Sequence, residues 1–166
     1  PDALEVARKQ IQRRVNAPEA SSLGRLFDAA AAVLGVRSVA AFEGQAPMEL
    51  EALAGKARGV PLPFPAEEGP DGVWVLDPVP LLEALGSARA RGGDVAELAA
   101  SFHESVVEAS VSLARHLCRA QGLATVALGG GCFQNARLLE GVADRLERAG
   151  PAAPVHVDRK GHDAVT

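Results

Sequence analysis

The chain has 166 residues, of which 48% are hydrophobic and 23% charged, and its formal net charge is −4. This length and composition predict one globular domain with a hydrophobic core of its own. No apolar run approaches the roughly 18 residues of a membrane span, and an acidic chain with few aromatic residues argues against nucleic-acid binding. The absence of a visible secretory signal and of a CxxC pair predicts a cytoplasmic location.

Helical periodicity dominates the first third of the chain. Residues 3–15 predict an amphipathic helix whose outer face is cationic. Two serines precede the next apolar-periodic segment, residues 23–34, and Gly35 follows it, so this helix is predicted with a cap at each end. Residues 39–46 predict a short strand that leads into a helix over residues 47–57.

A proline-rich segment, residues 59–78, interrupts the helical pattern in the middle of the chain. Proline density of this kind excludes a helix and predicts an extended hairpin excursion from the domain. After a further short helix, a capping box at Asp94 predicts the longest helix of the chain, which ends at about Ala120. Its two histidines, His103 and His116, are too far apart for an i,i+4 metal pair, and we expect them to be surface or packing residues.

The strongest α/β signal is a strand, a run of three glycines and a helix within the sequence ALGGGCFQNARLL, residues 127–139. A second extended stretch at residues 153–157 completes a predicted β-turn-α-β unit. A strand that opens through glycines onto a helix N-terminus exposes backbone N–H groups, which suits an anion or a nucleotide. The alternative is a tight turn without a ligand.

Other glycine-rich motifs do not fit this turn. A dinucleotide fingerprint needs a glycine where Gln134 stands, and a phosphate-binding P-loop needs a Lys and a hydroxyl that the turn lacks. A thiol nucleophile is a different hypothesis: the helix N-terminus could lower the pKa of Cys132, with His156 or His162 as base, in a cysteine hydrolase. The remaining hypothesis is that a flat ring or ribose lies on bare backbone beside the amide of Asn135.

Several long motifs together resemble one known family. SSLGRLFDA, EGQAPMELE and GGGCFQN occur in the order found in the hydrogenase maturation carbamoyltransferase family, HypF, and the resemblance covers nearly the whole chain. It implies a helix-rich α/β fold that forms one lobe of an actin-like ATPase (ribonuclease H-like) fold. Residues 1–166 would be the second, C-terminal lobe of the carbamoyltransferase domain.

The resemblance also implies an activity and its partners. In this family, carbamoyl phosphate and ATP give carbamoyl-adenylate, and the carbamoyl group passes to the C-terminal cysteine of HypE during maturation of the [NiFe] hydrogenase. By the same resemblance, Asp163 would ligate a divalent metal ion. The residues that would bind the nucleotide are Asp28, Gly44, Glu51, Gly130, Gly131 and Asn135.

Parts of the family's machinery are not found in this sequence, namely the two metal-binding histidines spaced four apart, the first lobe and the other domains of the parent carbamoyltransferase. We therefore expect a domain fragment that needs those domains as partners and does not catalyse transfer unaided. Weak binding of adenine nucleotides is the expected residual property. The alternative without catalysis is a scaffold lobe that docks a partner through its helices.

Overall fold

The computed structural model describes residues 2–148 and the backbone of residues 156–158. These residues form a helix-rich α/β fold, as the sequence predicts. A short 3-10 turn, Gly131–Gln134, precedes the last helix. In chain order the elements are α1 (Ala3–Arg13), α2 (Leu23–Leu34), α3 (Gln45–Ala54), β1 (Ala66–Glu68), β2 (Trp74–Leu76), α4 (Val79–Ala90), α5 (Val95–Gln121), β3 (Thr125–Ala127), α6 (Ala136–Glu147) and β4 (His156–Asp158).

The long helix α5 is the centre of the fold. It contacts α2, α3, α4 and α6, which surround it. A helix that is packed on several sides needs apolar residues around most of its circumference, and the N-terminal two thirds of α5 has them. The core that results contains the fully buried side chains of Phe27, Leu34, Leu50, Leu81, Leu85, Phe102, Val106, Leu138 and Leu146.

Local capping explains where the two best predicted helices begin. The Ser22 hydroxyl accepts a hydrogen bond from the Arg25 amide at 3.3 Å at the start of α2. The Asp94 carboxylate accepts one from the Glu97 amide at 3.0 Å at the start of α5. Gly35 ends α2 in the left-handed conformation. These contacts confirm the caps predicted for both helices.

The prediction of a strand over residues 39–46 is wrong. The chain turns there instead, because the Gln45 side chain reaches back to accept a hydrogen bond from the Ala41 amide at 2.7 Å. Gly44 then adopts a φ of 83° and begins α3. No strand of the described residues lies alongside to pair with this segment, and apolar residues without a partner strand do not form a sheet. Phe42 therefore remains 55% exposed.

The proline-rich segment runs along α5 before it forms a hairpin. The backbone of this segment donates hydrogen bonds to two serine hydroxyls of α5. The Val60 amide donates to Ser101 at 3.0 Å, and the Leu62 amide donates to Ser105 at 2.8 Å. Strands β1 and β2 then pair in antiparallel register, with Ala66 opposite Leu76. The non-proline residues Val60 and Leu62 thus attach the segment to the central helix through their backbone N–H groups, which proline lacks.

The β-turn-α-β unit is present as predicted. Strands β3 and β4 pair in parallel, with Val126 opposite Val157, and α6 connects them. The glycine turn therefore lies at the carboxyl end of β3, directly before α6. In open α/β arrangements this edge is where ligands commonly bind.

Helix α1 forms with the predicted amphipathic pattern, but its apolar face is not packed. Leu4, Ile11 and Val15 are each more than half exposed, and α1 has no buried residue.

Across the part of the chain that the structure describes, no helix combines the length and apolarity needed to span a bilayer.

Candidate functional site

A cavity of about 580 Å³ opens between α2, the start of α3 and the glycine turn. Five of the six residues predicted to bind nucleotide line its wall: Asp28, Gly44, Glu51, Gly131 and Asn135. Gly130, the sixth, lies one residue before the wall. Residues far apart in the sequence are thus brought to a single concave surface, large enough for a ligand of nucleoside size.

The glycine turn presents bare main chain. A Cβ atom placed on Gly129, Gly130 or Gly131 would have no protein atom within 4 Å, so none of the three glycines is required by packing. Gly130 is required by its conformation, because its φ of 93° is one that other residues rarely adopt. The space beside the turn is not filled by the protein's own side chains.

The N-terminus of α6 does not offer free N–H groups to an anion, contrary to one interpretation of the sequence. The Glu51 carboxylate accepts hydrogen bonds from the Ala136 amide at 2.7 Å and the Arg137 amide at 3.3 Å. The Asn135 side chain accepts one from the Leu138 amide at 2.8 Å. A carboxylate of the protein therefore occupies the position that a phosphate would take at this helix.

The charged side chains of the cavity wall are mostly acidic. Asp28, Glu43 and Glu51 line it, together with a single guanidinium, that of Arg25. Arg25 Nη1 lies 2.8 Å from Asp28 Oδ2, in an ion pair within α2 whose carboxylate is 31% exposed. Three carboxylates and one cation favour a neutral ligand that donates hydrogen bonds and disfavour a phosphate.

Asn135 is buried in the cavity wall, and both ends of its amide have partners. Its Oδ1 caps α6 as described above, and its Nδ2 lies 3.0 Å from Nε2 of His103, a residue of α5. His103 Nδ1 lies 2.7 Å from the Ala99 carbonyl oxygen. Because that oxygen can only accept, the proton is assigned to Nδ1, which leaves Nε2 to accept from Asn135.

His103 is a packing residue, as expected, but the sequence did not reveal its link to the site. Its side chain is fully buried, and burial is the main reason that the pKa of His103 is lowered. The ring is therefore neutral at pH 7. His116, the other histidine of α5, is exposed and stacks on Trp74 with ring centroids 4.6 Å apart. Neither residue belongs to a metal cluster among the described residues.

Cys132 does not have the electrostatic environment of a nucleophile. Burial raises the pKa of its thiol, against a smaller lowering by a hydrogen bond from the Gly24 backbone. This is the opposite of the shift expected for a thiolate at a helix N-terminus. Of the two proposed bases, the side chain of His156 and the whole of His162 lie outside the described residues.

We predict that Cys132 reacts slowly with iodoacetamide at pH 7, because only the thiolate reacts and the raised pKa keeps its fraction small. The rate should still increase as the pH approaches the raised pKa of the thiol. Mass spectrometry of labelled peptides measures it, with the same cysteine in urea-unfolded protein as the reference. Cys118, which is buried, is the internal control. Faster labelling of Cys132 in the folded protein than in the unfolded protein would restore the nucleophile hypothesis.

The residue predicted to ligate metal, Asp163, lies outside the described residues. Within the described ones, no group of three or more His, Cys, Asp or Glu side chains is placed to hold a metal ion. The cavity wall by itself therefore does not fit a metal centre.

Residues 1–160 match a family model described as "Carbamoyltransferase, Kae1-like Domain, second subdomain". The chain is 41% identical over 135 residues to Carbamoyltransferase HypF of Rhodobacter capsulatus, a match that covers 81% of this chain and 17% of that protein. It is 40% identical over 156 residues to a Carbamoyltransferase HypF homolog of Cupriavidus necator, covering 91% of this chain and 38% of the homolog. The chain thus spans well under half the length of these relatives.

Two solved structures are similar to this fold. A crystal structure of full-length HypF in the phosphate- and nucleotide-bound form superposes with a TM-score of 0.82 at 34% identity, over 95% of this chain and 20% of that one. The crystal structure of T. kodakarensis HypF gives a TM-score of 0.79 at 26% identity, over 93% of this chain and 19% of that one.

Proposed function

Because the chain belongs to the HypF carbamoyltransferase family, as the second subdomain of the Kae1-like domain, we propose that it binds the nucleoside part of ATP and of carbamoyl-adenylate. The binding site is the cavity between α2, α3 and the glycine turn. The observation that carries this proposal is that Gly131, whose missing side chain leaves open space, lines the same cavity wall as Asp28.

The chemistry of the wall supports a division between nucleoside and phosphates. A carboxylate such as Asp28 can accept hydrogen bonds from both hydroxyls of a ribose. The absence of side chains at the glycine turn allows a flat base to approach the main chain. Glu51 blocks the α6 N-terminus to phosphate, so the phosphates would extend away from this wall. We propose that groups of the remaining domains of the parent protein hold them.

The proposed activity of the whole parent protein is carbamoyl transfer. Carbamoyl phosphate and ATP would form carbamoyl-adenylate, and the acceptor would be the C-terminal cysteine of a HypE-type protein. The names of the relatives support the carbamoyltransferase class, and the nucleotide-bound HypF structure supports a nucleotide as substrate. Residues 1–166 would be the C-terminal lobe of the transferase domain and would not catalyse the reaction alone.

The role of Asp163 as ligand to a divalent cation stays a prediction of the resemblance. The described residues contain no group of three or more His, Cys, Asp or Glu side chains placed to share this role. What this chain contributes in our proposal is binding and orientation of the nucleoside.

We predict that the protein binds adenosine at least as tightly as ATP, since the wall carries three carboxylates and a single guanidinium, that of Arg25, which is already paired with Asp28. Asp28→Ala should weaken adenosine binding by at least about tenfold, as expected from losing hydrogen bonds to a charged acceptor worth roughly 1.5–3 kcal/mol. Calorimetric titration measures both. Asp144→Ala is the matched control, because Asp144 also pairs with a nearby arginine, Arg148 at the end of α6, but lies outside the cavity wall.

Equal weakening by Asp28→Ala and Asp144→Ala would contradict the placement of the ribose. If neither adenosine nor ATP binds or shifts any NMR signal of the cavity residues, the scaffold hypothesis is favoured instead.

A further inference from the structure

His103 is the one polar side chain among the largest fully buried side chains of the described core. Two aromatic rings hold its imidazole edge-on: Phe27, with centroids 5.4 Å apart, and Phe102, with centroids 5.8 Å apart. Phe27 also lines the cavity. Burial of an imidazole is unfavourable unless both nitrogens find partners, and here each nitrogen has one.

The hydrogen bonds of His103 allow Asn135 only one orientation. With the proton on Nδ1 facing the Ala99 carbonyl, Nε2 can only accept, so the Nδ2 group of Asn135 must face it. The Oδ1 atom is then directed to the Leu138 amide. A flipped amide would place oxygen against the ring's lone pair and NH₂ against an N–H, which loses both hydrogen bonds.

Asn135 in turn connects this chain of hydrogen bonds to the cavity wall. Its backbone N–H donates to the Cys132 carbonyl at 3.2 Å, which closes the short 3-10 turn that begins at Gly131. Its side chain begins α6. Asn135 therefore closes the 3-10 turn with its backbone and begins α6 with its side chain, and the amide orientation determines the second of these two contacts.

We propose that His103 is a positioning residue for the nucleoside site, acting through Asn135 on the cavity wall formed by residues 131–135. This inference rests on the proposed function of the cavity. His103 does not touch the ligand; it selects the amide orientation that keeps the wall in its binding shape. A purely structural histidine would stabilise the fold without any dependence on Asn135.

The test is a double-mutant cycle on adenosine affinity with His103→Phe and Asn135→Ala. Phenylalanine keeps an aromatic ring against Phe27 and Phe102 but cannot accept a hydrogen bond. We expect His103→Phe to weaken binding about fivefold to tenfold in the natural chain and to have no further effect once Asn135 is alanine. The matched control is His116→Phe, on the same helix but stacked on Trp74 away from the cavity, which should leave the affinity unchanged.

Two results would overturn the inference. One is an unchanged affinity in His103→Phe; the other is an equal loss in the presence and absence of Asn135, which would indicate general destabilisation.

If the natural chain does not bind adenosine, the proposed function fails, and NMR tests the positioning separately. His103→Phe should shift the side-chain amide signals of Asn135 and accelerate hydrogen exchange at the Leu138 amide, whereas His116→Phe should do neither. Unchanged signals in His103→Phe would contradict the positioning role.

Discussion

Replacement of Gly131 by leucine is expected to weaken adenosine binding by at least about tenfold, or roughly 1.4 kcal/mol, while the free energy of unfolding changes by less than about 0.5 kcal/mol. The reason is geometric. A Cβ on Gly131 meets no protein atom within 4 Å, and the residue lines the cavity. The new side chain would therefore fill space that the nucleoside needs without disturbing the fold. Calorimetric titration and urea denaturation measure the two quantities.

The neighbouring glycines serve as controls for this prediction. Gly129→Leu also places its side chain in open space, but outside the cavity wall, so we expect neither binding nor stability to change. Gly130→Leu should lower stability by about 1–3 kcal/mol, because a φ of 93° is strained for any residue with a Cβ. Equal loss of binding from Gly129→Leu and Gly131→Leu would mean that the nucleoside does not occupy this cavity.

Local signals in the sequence were sufficient for most of the helices. The caps at Ser22 and Asp94 act on amides three residues away, so they can be recognised in a short window of sequence. The prediction of a strand over residues 39–46 was wrong because a strand also needs a partner strand elsewhere in the chain. Among the described residues no strand pairs with this segment, and its own sequence does not reveal that.

The candidate site was predicted by resemblance, and periodicity alone could not have assembled it. Asp28 and Gly131 lie on one cavity wall although no local pattern relates them. The contacts that shape this wall are equally distant in sequence: Glu51 caps α6, and His103 on α5 holds Asn135. Glu51 also reverses the electrostatic expectation at the helix, because a carboxylate from α3 takes the place that the sequence assigned to an anionic ligand.

The aromatic layer beneath the cavity is the basis of the second large expected effect. Phe102→Ala should lower the free energy of unfolding by about 3–5 kcal/mol, the usual cost of a buried phenylalanine and the cavity it leaves. Phe102 is fully buried, and its ring meets Phe27 edge to face with centroids 4.9 Å apart. Urea denaturation measures the loss. Phe42→Ala is the matched control, because Phe42 is 55% exposed and its loss should cost less than about 1 kcal/mol.

The same substitution should also reach the site under conditions where the variant remains folded. Without Phe102, the rings of Phe27 and His103 lose a shared neighbour, and the orientation of Asn135 depends on His103. We therefore expect weaker adenosine binding in folded Phe102→Ala and unchanged binding in Phe42→Ala. If folded Phe102→Ala binds adenosine with the same affinity as the unsubstituted chain, the hydrogen bonds of His103 hold Asn135 without support from the aromatic packing.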